Sequence, residues 1–225
     1  FGLPWMGVSQ AYPRYRGRED KVAGLDERIN GCFERSLNGK AMPLDSREMM
    51  AIVAYMDWLS KDMPEDAYGL ATPGFEGPNR KADVEHGEEM YNRFCMSCHG
   101  RGGEGYQSMS AGDSGSYIAP ALWGDDSYNN GAGMNRLLTT AAFVHSNMPL
   151  GTVWNRPEIS NEAAYDVAAY LSSKERPKMS GLEDDYPNLE KKAADCPYPP
   201  YADEFSQEQH QYGPFQPIMT AQKKK

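Results

Sequence analysis

The sequence predicts a mostly α chain: two tandem helical domains with long loops and an extended C-terminal tail. Three observations predict this. Two segments of similar lettering, "DSREMMAIVAYMDWLS" at 45–60 and "SNEAAYDVAAYLSSKE" at 160–175, both carry apolar residues at the 3.6-residue period. A third periodic segment, "DVEHGEEMYNRF" at 83–94, leads directly into "CMSCH". Around them, 22 glycines and 16 prolines exceed what a helix-dense fold uses, so long loops are expected.

The bulk composition excludes some functions. A chain of 225 residues with 40% hydrophobic content can bury two small cores. Its net charge of −9, without a basic stripe, argues against nucleic acid as a partner. The "KKK" at 223–225 is too short to reverse that and reads as a solvated end. No apolar run approaches the ~20 residues that cross a bilayer, so no membrane span is expected. The sequence opens on the apolar "FGLPWMG" at Phe1, without Met, and an absent upstream segment is expected.

Residues 1–65 form the first expected domain. Its helix at 45–60 takes Asp45 as N-cap and turns Met49, Ile52, Val53, Met56 and Leu59 to one face. Upstream, "RINGCFERSLNG" at 28–39 holds Cys32, with no other cysteine within about sixty residues on its C-terminal side. The segment 66–83, "DAYGLATPGFEGPNRKAD", is punctuated by Gly and Pro and reads as a linker.

Residues 84–175 form the second domain. Asp83 caps a helix whose Val84, Met90, Tyr91 and Phe94 lie roughly on one face. Cys95, Cys98 and His99 then fall in the C-x-x-C-H spacing of covalent haem c attachment: two thiols for the haem vinyl groups and an adjacent histidine for the iron. A zinc site would need another ligand pair, and only the remote Cys32 and Cys196 remain. A thioredoxin-type redox motif would follow a strand, whereas this one follows a helical pattern. Because covalent haem is assembled outside the cytoplasm, the protein is expected to be exported. This domain is therefore read as class I cytochrome c-like, the class expected of both tandem domains.

The iron of such a haem needs a second axial ligand or an open site. Met148, in the Met-Pro turn of "HSNMPLG" at 145–151, is the first candidate, His145 is its rival, and Met148 could also simply fill the core. The helix at 160–175 follows, with Ser160 as N-cap and Ala164, Val167, Ala168 and Leu171 on one face. The tail, 176–225, carries seven prolines and four tyrosines without periodicity, with Phe205 and Phe215 as anchors that would pack it on the domains. His86 and His210 read as surface or capping residues, and Cys196 has no assigned role.

Sliding the two similar helices over each other by 115 residues pairs Asp45 with Ser160 and Tyr55 with Tyr170. The same shift sets Cys32 opposite Asn147, next to Met148, and puts a counterpart of "CMSCH" about twenty residues before Phe1. Residues 1–65 are then the rear of a first haem c domain whose attachment motif lies upstream, with Cys32 either a distal iron ligand or a buried free thiol.

The segment "YPRYRGREDKVAGLDERINGCFERSLNGKAMPLDSREMMAIVAYMDWLS", with "NMPLG", "DVAAYLSSKERP" and "YPPYADEFSQEQHQYGPF", resembles the periplasmic dihaem thiosulfate dehydrogenases, relatives of the thiosulfate-oxidising SoxA cytochromes. The resemblance implies two haem c groups, one attached at Cys95 and Cys98 and one through a motif upstream of Phe1. It implies Cys32 as distal ligand of the catalytic haem, Arg18 and Arg28 as substrate-binding arginines, Ser36 as an active-site hydroxyl, and His99 with Met148 on the second iron. Some relatives carry Lys before that Met; Asn147 stands here instead. The implied activity interconverts thiosulfate and tetrathionate and passes electrons to a partner cytochrome or other acceptor. The alternatives are a non-catalytic dihaem electron carrier and a SoxA-like subunit of a sulfur-oxidising complex.

The residue types suit that chemistry. Joining two thiosulfate dianions gathers four negative charges, which the always-ionised guanidinium fork offsets. A thiolate ligand would lower the first haem's potential, while Met raises the second. A thiolate could also bond a sulfane sulfur transiently. Arg14 and Arg16 read as propionate partners or surface charges.

Overall fold

The computed structural model describes residues 5–64, 75–108, 116–153 and 155–223. Strands β1 (Arg14–Arg16) and β2 (Lys21–Ala23) pair antiparallel, with Tyr15 opposite Val22. Helix α1 (Leu25–Gly31) follows, its first turn closed by Glu27, whose carboxylate accepts the Gly24 amide at 3.1 Å. The chain then widens into a single π turn, Cys32–Ser36, closed by the Leu37 amide on the Cys32 carbonyl at 3.0 Å.

Helix α2 (Arg47–Ser60) completes this part. Its N-cap is Ser46, whose hydroxyl accepts the Met49 amide, rather than the expected Asp45. Both residues are good caps; the choice falls to the oxygen that reaches the third amide of the helix. Leu25, Ile29, Met49 and Met56 bury a small core between α1 and α2. The opposite side of α2 stays open: Tyr55 and Trp58 stack at 5.8 Å between ring centroids and remain 52% and 66% exposed.

The larger core is built on three helices: α3 (Val84–Phe94), α5 (Leu137–Asn147) and α6 (Asn161–Ser172). Between α3 and α5 come the short α4 (Met96–His99) and the strand pair β3 (Tyr106–Gln107) and β4 (Tyr117–Ala119). Asp83 caps α3 as expected, accepting the Glu85 and His86 amides. Helix α6 is buried on nearly every side, from Ala163 to Leu171, because α3 and α5 both pack on it. At the α3–α6 crossing a Cβ on Gly87 would lie 2.0 Å from the Asp166 carbonyl oxygen, so the backbones can meet only with glycine there.

Of the segment read as a linker, 65–74 lies outside the described residues, and 75–83 packs on the larger core. Phe75 meets the His145 ring edge-on at 6.0 Å, and Arg80 forks onto Asp166 at 2.7 and 2.8 Å. Asp166 also accepts the Asp83 amide and faces His86 Nδ1 at 2.8 Å, so His86 is held by an ion-pair cluster.

Residues of the tail pack on the larger core, and the tail is not wholly extended. It contains α7 (Gln207–Tyr212), capped by Ser206, and α8 (Gln216–Lys223). Pro217 falls in the first turn of α8, where the missing N–H costs nothing, so it does not punctuate the chain as its sequence context implied. Phe215 and Ile218 are buried against Leu137 and Tyr165. His210 is a core residue, 1% exposed, stacked on Tyr201 at 3.7 Å and bonded to Ala194 O and Asp203. Cys196 is fully buried and unbonded to any described cysteine. Among the described residues no helix is long and apolar enough to cross a membrane.

Candidate functional site

The C-terminal end of α1 brings two of the sequence-predicted residues together. Arg28 and Cys32 stand one turn apart, and Arg28 Nη1 donates to Cys32 Sγ at 2.7 Å. Cys32 is half-buried, at the first position of the π turn. Ser36 ends the same turn and is exposed.

Arg18 is held elsewhere. Its Nη1 donates to the Gly131 carbonyl at 2.6 Å and lies 3.5 Å from Asp185, and its side chain is only 13% exposed. Arg35, on the Cys32 turn, forks onto the same Asp185 at 2.9 and 2.7 Å. Asp185 also accepts the Tyr198 hydroxyl at 2.7 Å. Two guanidinium groups therefore share one carboxylate, and the buried Lys192, its ammonium 4.7 Å from the Tyr198 ring centroid, adds a further cation to a junction with surplus positive charge. Burial disfavours the Arg18 charge, but Tyr186, Tyr198 and Asp185 together keep its pKa above the ordinary value. Arg16, on β1, is paired with Glu19 at 2.9 Å.

The segment 128–133, "YNNGAG", closes this junction and was not singled out by the sequence. Asn129 donates its side-chain amide to Glu34 O at 2.7 Å and to Asn38 Oδ1 at 3.1 Å, and its backbone amide to Arg35 O at 3.1 Å. A Cβ on Gly131 would lie within 2.7–2.9 Å of the side-chain ends of Arg35, Leu182 and Met179, which close tightly over the loop. The Asn-Asn-Gly turn signal was legible; its target, about a hundred residues earlier in the chain, was not.

The second constellation surrounds α4. Cys95 is the residue between α3 and α4, and Cys98 and His99 lie within the single turn of α4. His99 Nδ1 lies 2.8 Å from Pro120 O. A carbonyl only accepts, so this bond puts the proton on Nδ1 and leaves the Nε2 lone pair for a metal. Burial pushes the Cys95 thiol up to about 11, as expected of a side chain set against an apolar surface, while Cys98 is exposed.

Met148 is half-buried and belongs to the same apolar cluster as Phe94, Cys95 and Met96. His145, its rival, packs its ring on Phe75. Cys32 and Met148 have one positional feature in common: each is the C-cap residue of the helix before it, α1 and α5 respectively. The thiol pair on one turn, the oriented imidazole and a thioether in the same cluster fit a covalently attached haem.

Residues 4–64 match the family described as "SoxA/TsdA, cytochrome c domain", and residues 84–175 match "Cytochrome c". The chain is 39% identical over 192 residues to the thiosulfate dehydrogenase of Psychrobacter arcticus, covering 84% of this chain and 56% of that one. It is 40% identical over 178 residues to the thiosulfate dehydrogenase of Allochromatium vinosum, covering 77% and 62%. The solved thiosulfate dehydrogenase TsdBA of Marichromatium purpuratum, in its "as isolated" form, superposes with a TM-score of 0.72 at 34% identity, over 80% of this chain and 38% of that one. The chain thus spans just over half the length of the curated relatives it matches.

Proposed function

Because the chain belongs to the SoxA/TsdA family of c-type cytochromes, we propose that it interconverts thiosulfate and tetrathionate outside the cytoplasm with two haem c groups. Its cytochrome c domain implies covalently bound haem c, which Cys95, Cys98 and His99 would hold, with Met148 as the second axial ligand. Cys32 would be the distal ligand of the other haem. Bound haem supplies one-electron redox chemistry at each site and a route to an external acceptor.

Two thiosulfate dianions become one tetrathionate dianion and two electrons, with one S–S bond formed and no proton moved. What the protein must provide is therefore positive charge and a sulfur-compatible surface. Arg28 places a guanidinium against Cys32 Sγ at 2.7 Å, and its remaining donors suit a sulfonate group whose sulfane sulfur lies beside that thiol. The surplus charge of the Arg18–Asp185–Arg35 junction adds an attractive field for the dianion.

The Arg28–Cys32 contact is the observation that carries this reading. Oxidised holoprotein mixed with thiosulfate should show haem reduction, lost in Cys32→Ala and slowed about a hundredfold in Arg28→Ala. Haems that stay oxidised in thiosulfate but respond to a small reductant would make the protein an electron carrier instead.

A further inference from the structure

The last turn of a helix leaves carbonyls without partners, and in the Cys32 turn these include Glu34 O and Arg35 O. Both are satisfied from far along the chain by one residue, Asn129, through its side-chain and backbone amides at 2.7 and 3.1 Å. The same side chain bonds Asn38 Oδ1, and its own Oδ1 accepts the Gly131 amide at 3.1 Å. Asn129 is 2% exposed, so its amide has the fixed orientation that a packed surrounding imposes.

The loop behind Asn129 is braced in turn. Arg176 donates to Leu122 O at 3.2 Å and to Leu171 O at 2.5 Å, and its guanidinium lies 4.3 Å from the Tyr128 ring centroid. Gly124 and Asn130 donate their amides to Glu175 O and Pro177 O. At its start the loop presents Pro120 O to His99 Nδ1. One stretch, 120–131, therefore fixes the imidazole at one end and the Cys32 turn at the other.

We infer that Asn129 is a positioning residue for Cys32: it locks the π turn so that the thiol keeps its place beside Arg28 and toward the first haem. The inference rests on the proposed role of Cys32 as that haem's ligand. Asn129 itself touches neither substrate nor cofactor.

The test compares wild-type, Asn129→Ala and Asn38→Gly holoprotein by three readouts: the spectroscopic signature of thiolate-ligated low-spin haem, the signature of the Met-ligated haem, and hydrogen exchange of the Leu37 and Gly39 amides. Asn38→Gly keeps the positive φ of 49° at that position while removing one of the bonds, and serves if the alanine variant folds poorly. In Asn129→Ala the two amides should exchange about tenfold faster and the thiolate signal should broaden or split, with the Met signal unchanged; Asn38→Gly should give a smaller effect of the same kind. Unchanged exchange overturns the inference. Faster exchange with an unaltered thiolate signal also overturns it, since Asn129 would then be structural only. A wild-type protein without any thiolate signal overturns the Cys32 reading and this inference with it, and is distinguished because a failure of Asn129 alone leaves the wild-type signal intact.

Discussion

Arg28 Nη1 sits 2.7 Å from Cys32 Sγ, joined across one helical turn at the point where α1 gives way to a π turn. The i,i+4 spacing alone would bring the two side chains near each other. The added residue of the π turn redirects the chain after Cys32 so that Arg35 can reach Asp185 while Arg28 stays with the sulfur.

Arg28→Ala should slow thiosulfate-dependent haem reduction by about a hundredfold, the scale for loss of one fixed charged donor at a reacting group. Arg28→Lys should fall between, because a point charge replaces the planar fork. Stopped-flow reduction by thiosulfate, normalised to haem reducible by a strong chemical reductant, measures both. Wild-type rates in the alanine variant would remove Arg28 from the substrate machinery.

The sequence made some of this site legible and hid the rest for physical reasons. Cys95, Cys98 and His99 are neighbours in the chain, and the helices before and after them announce themselves by period. Asn129 and Asp185 act on residues 91 to 167 positions away, so nothing local marks them. Pro120 contributes only a carbonyl, which almost any residue offers. The tail helices were concealed by proline: Pro217 falls where a helix tolerates it, and only the structure shows that a helix starts there. Tyr55 and Tyr170 looked equivalent by offset, but Tyr170 is 5% exposed in the core with α3, while Tyr55, stacked on Trp58, is 52% exposed.

Gly87→Ala should destabilise the protein by about 3 kcal/mol through overpacking, although alanine favours an isolated helix by about 1 kcal/mol. The added methyl would lie 2.0 Å from a backbone oxygen of α6, which cannot rotate away as a side chain can. A lower thermal midpoint with retained haem attachment is the expected result. A midpoint equal to wild type would mean the α3–α6 crossing adjusts freely.

Met148→His should lower the midpoint potential of the haem that Cys95 and Cys98 would hold, because a thioether ligand raises the potential relative to imidazole. The C-cap position of Met148 and its place in the cluster with Cys95 make it the residue to change. Potentiometric titration with optical detection measures the change. An unchanged potential would exclude Met148 as its ligand.

Asp166 gives the fold an acid-sensitive clamp. Its burial alone would raise the carboxyl pKa, but hydrogen bonds from Arg80, the Asp83 amide and His86 outweigh burial and leave it below the ordinary value. Unfolding then takes up a proton once the pH drops below the unfolded value of about 3.9. The stabilisation from this carboxylate should be complete above that pH and vanish as the pH falls through the lower, folded value. Asp166→Asn removes one of the two carboxylates that Arg80 faces; because Arg80 is 37% exposed and keeps Glu162, the loss should be about 1 kcal/mol at neutral pH. Denaturant unfolding across pH should show wild type and variant converging at the acid end. A difference that persists unchanged in acid would mean that Asp166 contributes through shape and hydrogen bonding alone.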